Sequence, residues 1–387
     1  MSEPLEVPER AFVLVLGKGG QAFAAELFEP AELLDPEAAL ADERHTAVVE
    51  RLRAGDSAVV CLTAPHVRVR DALLKIARKQ SMPAVVFVLD PEGTERAAYE
   101  ELARRRRVEA YYVTRSEGVD LRRIRPPCDR RELRGPFDIV GDLHGCADEL
   151  EELLHVLGYA RGESSTWSHP AGRTFVSVGD LADRGPRCVD VLETIMDMLE
   201  AGSALAVQGN HDDKLRRWLL GKKLKVSHGL RETIDEIEAL DAESRARFTT
   251  RTLAVLGDLP THLILDGGRL VVAHAGIRED YIGRTAGKVR SFTLYGDTTG
   301  EVDPYGLPVR RDWAAAYAGA ATIVYGHTPR PTPEWVNGTV NVDQGCCFGG
   351  FLTALRYPEQ RFVQVPAKAV HYPHSGDFQP HHGLSSE

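Results

Sequence analysis

The chain has 387 residues, 43% hydrophobic content and a formal net charge of −10. That length leaves room for two domains with cores of their own and excludes a disulfide-stapled miniprotein, while the charge argues against indiscriminate binding to long nucleic acids. Six cysteines without Cys-x-x-Cys spacing, and an N-terminus with neither a signal-peptide core nor a membrane-length apolar run, predict a cytoplasmic protein with no membrane partner.

Residues 1–125 alternate short apolar runs with amphipathic ones. Phe12 to Leu16, Ala58 to Leu62, Ala84 to Leu89 and Ala110 to Val113 predict strands, and Arg68 to Lys79 and Thr94 to Arg107 predict surface helices, so this stretch reads as an α/β domain with a largely parallel sheet. Leu121 to Gly135, with Pro126-Pro127 and many arginines, predicts an exposed connector.

A second domain, residues 126–369, carries five strand predictions that each run into a polar motif. Phe137 to Val140 leads to Gly141-Asp142-Leu143-His144-Gly145, and Phe175 to Val178 to Gly179-Asp180-Leu181-Ala182-Asp183-Arg184-Gly185. Ala204 to Val207 leads to Gly209-Asn210-His211-Asp212, Leu270 to Ala273 to His274-Ala275-Gly276, and Thr322 to Tyr325 to Gly326-His327-Thr328. Strand ends are where loops converge on a shared site. Between the third and fourth motifs, Lys214 to Leu259 is charged and helical in pattern, clearest at Glu232 to Leu240, and could cap that site. The His-, Pro-, Gly- and Ser-rich stretch 370–387 predicts a loosely ordered tail.

Cleaving a phosphate ester needs a strong nucleophile, neutralised phosphoryl oxygens and a proton for the leaving group. Two ions about 3.5 to 4 Å apart can share a water, lower its pKa from 15.7 towards about 7, and clamp the phosphoryl oxygens. Asp142 and His144 at one strand end suit one ion, Asp180 could bridge, and Asn210, His274 and His327 suit the second. The mixed Asp, His and Asn donors fit Mn, Ni, Fe or Zn better than Ca. Arg184 offers a planar fork for phosphate oxygens, His211 a general acid, and Asp183 a partner that orients that imidazole. One Gly-Asp-x-His-Gly alone is a weak signal, because Gly and Asp are common turn residues; five motifs in order are a strong one. His228 reads as structural or substrate-facing, Cys346-Cys347 as buried packing, and Lys222, Lys223 and Lys225 as a solvated face.

On these motifs the chain resembles the calcineurin-like binuclear metallophosphoesterases, specifically the phosphatase domain of bacterial polynucleotide kinase-phosphatase. Gly135-Pro136-Phe137-Asp138, Gly229-Leu230, Leu265 to Gly276, Leu294 to Gly300 and Glu334-Trp335-Val336-Asn337 share in the likeness, which spans Gly135 to Pro366. The resemblance implies a two-layered β-sandwich flanked by helices, two divalent ions with Mn foremost, and removal of phosphate from RNA or DNA ends by attack of a metal-bridging hydroxide. It implies that Asp142, His144 and Asp180 hold one ion, that Asp180, Asn210, His274 and His327 hold the other, and that Arg184, Asn210 and His211 engage phosphate. It also makes His144 matter for opening 2′,3′-cyclic phosphates, and admits partners from RNA repair. Two departures are Asp212 and Asp297, where Glu is usual.

Residues 1–125 resemble the layout of the P-loop kinase that precedes that phosphatase, without its phosphate cradle. Gly17-Lys18-Gly19-Gly20-Gln21-Ala22-Phe23 lacks the Gly-Lys-Ser/Thr ending that grips phosphates and Mg, so no kinase activity is expected. Ser/Thr protein phosphatases and dinucleoside polyphosphate hydrolases use the same five motifs and stand as alternatives, as does a binding module with a vestigial kinase domain.

Overall fold

The computed structural model describes residues 4–63, 67–90, 100, 109–113, 119–162, 165–285, 287–304 and 308–374. The chain forms two compact units, Met1–Pro126 with Gly283–Val289, and Pro127–Ile282 with Arg290–Glu387. Among the described residues no helix is long and apolar enough to cross a membrane.

In the first unit, β1 (Leu5–Pro8), β2 (Phe12–Leu16), α1 (Gly20–Leu27), β3 (Leu33–Leu34), β4 (Ala58–Leu62), α2 (Val67–Lys79), β5 (Ala84–Leu89), β6 (Glu109–Val113) and β7 (Leu121–Ile124) follow in order. The main sheet is parallel throughout, ordered β3-β4-β2-β5-β6. Its strands are continuous β-branched and aliphatic runs because both faces are covered. Phe12, Leu14 and Leu16 pack with Leu73, Leu74 and Ala77 on one face, and Val13 and Val15 pack with Phe23, Ala24 and Phe28 on the other. The loop before α1 turns through Gly17 at φ 113° and Gly19 at φ 82°, conformations that favour glycine. The expected helix Thr94 to Arg107 lies almost wholly outside the described residues.

Part of the arginine-rich connector is a strand. β7 pairs in parallel with β1, Leu5 opposite Leu121. Its charges have partners: Arg122 pairs with Glu6, and Arg123 Nη2 lies 2.6 Å from Glu32 Oε2. Low apolar content hides an edge strand whose arginines are paired with acidic partners.

The second unit holds β8 (Phe137–Val140), α3 (Ala147–Leu157), β9 (Thr174–Ser177), α4 (Cys188–Glu200), β10 (Ala204–Ala206), α5 (Asn210–Leu219), α6 (Leu230–Ala239) and α7 (Ala242–Asp258). Then come β11 (His262–Leu265), β12 (Leu270–Ala273), β13 (Thr322–Tyr325), β14 (Trp335–Val336), β15 (Thr339–Asn341), β16 (Asp343–Gln344), β17 (Phe351–Tyr357) and β18 (Arg361–Pro366). One sheet runs β10-β9-β8-β17-β16, with β18 on β17; the other runs β11-β12-β13-β15-β14.

Period-two alternation decides what each strand buries. Phe137, Ile139, Val176 and Leu355 of the first sheet meet Leu263, Leu265, Val272, Val324 and Val340 of the second in one apolar layer. Val140, Phe175, Leu352 and Ala354 face the other way, onto Leu150, Leu154, Leu192, Ile195 and Ile234 of the helices. Each such buried side chain contributes roughly 1.5–3 kcal/mol, which fixes strand register firmly. The tail residues 375–387 lie outside the described residues.

Candidate active site

β8, β9 and β10 are mutually parallel, as are β12 and β13, so the residues that follow them leave the sheets at one edge. There the chain bends into conformations that L-residues avoid: His144, Asp180, Asp183, Arg184 and His327 have φ of 41°, 52°, 71°, 74° and 73°. Such strain persists only where surrounding contacts over-determine it, and it concentrates at functional sites. Two glycines make room. A Cβ on Gly209 would sit on the Asp180 carboxylate, and one on Gly326 on that of Asp142.

All six residues expected to hold ions are brought together. His144, Asp180 and His211 place one donor atom each within 4.8 Å of one another, and so do Asp180, His274 and His327. The two groups share Asp180. Its Oδ2 is 3.6 Å from His144 Nε2, 3.4 Å from His274 Nε2 and 4.0 Å from His211 Nε2. Its Oδ1 accepts from the His211 backbone N–H at 2.9 Å. Asp142 Oδ2 lies 3.9 Å from His144 Nε2, and both of its oxygens accept from His327 N–H at 3.2 Å. Asn210 Oδ1 lies 2.9 Å from His274 Nε2.

Ring orientations are set from behind. His144 Nδ1–H donates to Ala182 O at 2.9 Å and His274 Nδ1–H to Val178 O at 3.0 Å, so both Nε2 atoms face inward, that of His144 with its lone pair. An arginine can only donate, which fixes two more tautomers. Arg184 spans His144 Nε2 at 2.6 Å and His211 Nε2 at 2.9 Å, and Arg310 Nη2 reaches His327 Nε2 at 2.8 Å.

The electrostatics call for cations. Asp142, Asp180, Asp212 and Asp343 are all buried. Burial, then the neighbouring Asp343, push Asp142 well above the carboxylate range. Burial alone would also raise Asp180, but His274 and His211 outweigh it and hold it well below. Burial would lower His274, yet Asp180 and Asp142 raise it to about 9. Burial and Arg184 keep His144 neutral, and burial and His274 keep His327 neutral, the form in which imidazole ligates. Crowded carboxylates facing imidazole lone pairs suit divalent ions.

His211 is held by Asp183. Its Nδ1–H donates to Asp183 Oδ2 at 2.7 Å. Sequence reading missed what holds Asp183: Thr233 Oγ1 donates to Asp183 Oδ1 at 2.8 Å and accepts from Asp183 N–H at 3.0 Å. The signal was a threonine on the apolar face of α6, between Leu230 and Ile237. This inserted segment also meets the site at Gly229, whose carbonyl accepts from Arg184 N–H at 3.2 Å. Thr233→Val should lower kcat about 10-fold with KM nearly unchanged, measured by steady-state kinetics, because it loosens the group that orients His211 without touching substrate.

Arg310 and Asp343 were missed too. Asp343 had the same strand-end signal as the five motifs, followed by Gln344-Gly345, and its Oδ1 accepts from Gly345 N–H at 2.9 Å. Arg310 follows no motif. The two departures do not reach the lone pairs. Asp212 accepts from Asp180, Gly209 and Leu181 N–H at 2.9 Å each, pinning the loop behind the site, and Asp297 pairs with Arg311 at 3.1 Å. His228 and Lys222, Lys223 and Lys225 are exposed.

Residues 135–331 match the model of the calcineurin-like phosphoesterase family. Bis(5'-nucleosyl)-tetraphosphatase PrpE [asymmetrical] of Anoxybacillus flavithermus is 51% identical over 231 residues, covering 60% of this chain and 94% of that protein. The Geobacillus sp. protein of the same name is 47% identical over 237 residues, covering 61% and 96%, and the Bacillus subtilis one is 46% identical over 231 residues, covering 60% and 94%. These relatives are named tetraphosphatases, which corrects the resemblance to polynucleotide kinase-phosphatase at the level of the subgroup. With that match laid over the strand-end cluster of Asp and His, the chain belongs to the calcineurin-like phosphoesterases and is a phosphoric ester hydrolase.

Proposed function

We propose that the chain is a dinucleoside polyphosphate hydrolase that splits bis(5'-nucleosyl) tetraphosphates asymmetrically, into a nucleoside monophosphate and a nucleoside triphosphate. The observation that carries the reading is the likeness to proteins of that printed name over nearly their whole length. Removal of phosphate from polynucleotide ends, the first expectation from sequence, has no such support.

Asp142, His144 and Asp180 would hold one ion and Asp180, Asn210, His274 and His327 the other, with Mn the first candidate. When bound, the ions supply charge neutralisation on the phosphoryl oxygens and lower the pKa of the attacking water. Arg184 aims two N–H groups at the space between His144 and His211, where a phosphate would take both. His211, once Arg184 turns to the phosphate, can take up a proton at Nε2 and pass it to the leaving oxygen, and Asp183, on its Nδ1–H, stabilises the protonated ring that does so.

A polyphosphate leaves readily without protonation, whereas an alkoxide does not. His211→Ala should therefore cost about 10²-fold or more on an alkyl phosphate monoester and clearly less on a dinucleoside tetraphosphate, compared by kcat on the two substrates. Equal losses would remove His211 from the acid role. The substrate reading is tested by kcat/KM for a dinucleoside tetraphosphate, a 3′-phosphorylated oligonucleotide and a phosphopeptide, with Mn present. The tetraphosphate should lead; a faster oligonucleotide would restore the end-repair reading.

A further inference from the structure

Away from that centre, the second unit gathers soft ligands at a different place. Cys146 precedes α3, Glu149 is in its first turn, and Cys346 lies in the turn between β16 and β17. Their exposures are 0%, 1% and 2%. One donor atom from each lies within 4.8 Å of the others. The carboxylate is backed from the chain beyond β18: His371 Nε2 is 2.8 Å from Glu149 Oε1, with its side chain 13% exposed.

The backbone brings His371 there on purpose-built contacts. Lys368 N–H donates to Glu149 Oε1 at 2.7 Å and Tyr372 N–H to Cys347 O at 2.9 Å, and Phe348 bridges Val370. So three separate pieces of chain, the start of α3, the 345–350 turn and the segment after β18, meet at one Cys, Cys, Glu and His group.

We propose that Cys146, Glu149 and Cys346 hold a structural zinc-type ion, distinct from the catalytic ions, with His371 holding the Glu149 carboxylate from behind. Two thiolates and a carboxylate are donors that zinc takes and that hard cations such as Mg refuse. With Zn–S near 2.3 Å and Zn–O near 2.0 Å, ligand atoms stand roughly 3.3–3.8 Å apart, so these three donors, all within 4.8 Å of one another, need to contract by no more than about 1 Å. The Glu149 carboxylate, 1% exposed, accepts from Lys368 N–H at 2.7 Å and lies 2.8 Å from His371 Nε2, contacts that fix it beside the two thiols as ligating carboxylates are fixed. The site ties the turn between β16 and β17 to the loop that carries His144, two residues before Cys146.

Cobalt distinguishes this site from the catalytic one, whose donors contain no sulfur. The full-length protein loaded with Co(II) should show a thiolate-to-cobalt charge-transfer band in the near ultraviolet. Cys346→Ser should abolish it and lower bound metal from about three to about two ions per chain, and His371→Ala should weaken it. A reduced wild-type protein without the band, a band that survives Cys346→Ser, or a Cys146–Cys346 disulfide in the protein as isolated would overturn the proposal. If Cys346→Ser fails to fold, the wild-type spectrum and the peripheral His371→Ala still decide it.

Discussion

Asp180→Asn should reduce hydrolysis on the order of 10³-fold or more, with the loss in kcat and in bound metal rather than in folding. The substitution keeps volume and keeps an acceptor for the His211 N–H that Asp180 Oδ1 now holds at 2.9 Å. What it changes is Oδ2, the atom 3.4 Å from His274 Nε2 and 3.6 Å from His144 Nε2. An amide there either aims N–H groups at the neighbouring imidazoles or offers a neutral oxygen where a negative one would balance the proposed ions. Circular dichroism checks the fold, metal analysis the sites and steady-state kinetics the rate. A variant with full metal content and near-normal kcat would mean that Asp180 does not bridge.

Arg184→Lys should lower kcat/KM on the order of 10²-fold, although charge is conserved. The guanidinium is held for a two-point contact: its nitrogens reach His144 Nε2 at 2.6 Å and His211 Nε2 at 2.9 Å, and it lies 5.0 Å over the Phe348 ring. Its backbone is pinned at φ 74° by Gly229. A lysine offers one point charge and cannot span the gap between the two imidazoles. The kinetics of the lysine variant against Arg184→Ala separate geometry from charge; equal activity of Arg184→Lys and wild type would show that charge alone suffices.

Much of this site was legible because each proposed ligand follows a short apolar strand and all but His274 have glycine beside them, a pattern that survives without any long-range information. Asp142, His144, Asp180, Asn210, His274 and His327 all announce themselves that way, and the structure gathers them. Thr233 and Arg310 do not, because their partners are 50 and 17 residues away in the chain and nothing local marks the contact. β7 was hidden for a related reason: Arg122 and Arg123 make it look solvated until Glu6 and Glu32 are seen across from them. Substrate was the least legible property, since five shared motifs report the chemistry of phosphoryl transfer and say little about what surrounds the phosphorus.

The most direct measurement is product analysis on a bis(5'-nucleosyl) tetraphosphate with the divalent-ion-loaded full chain and its Asp180→Asn variant. Nucleoside monophosphate and triphosphate should appear in equal amounts, stop on chelation, and be all but absent with the variant. No turnover of the tetraphosphate, or turnover that persists after chelation and in Asp180→Asn, would contradict a shared two-ion centre acting on dinucleoside polyphosphates.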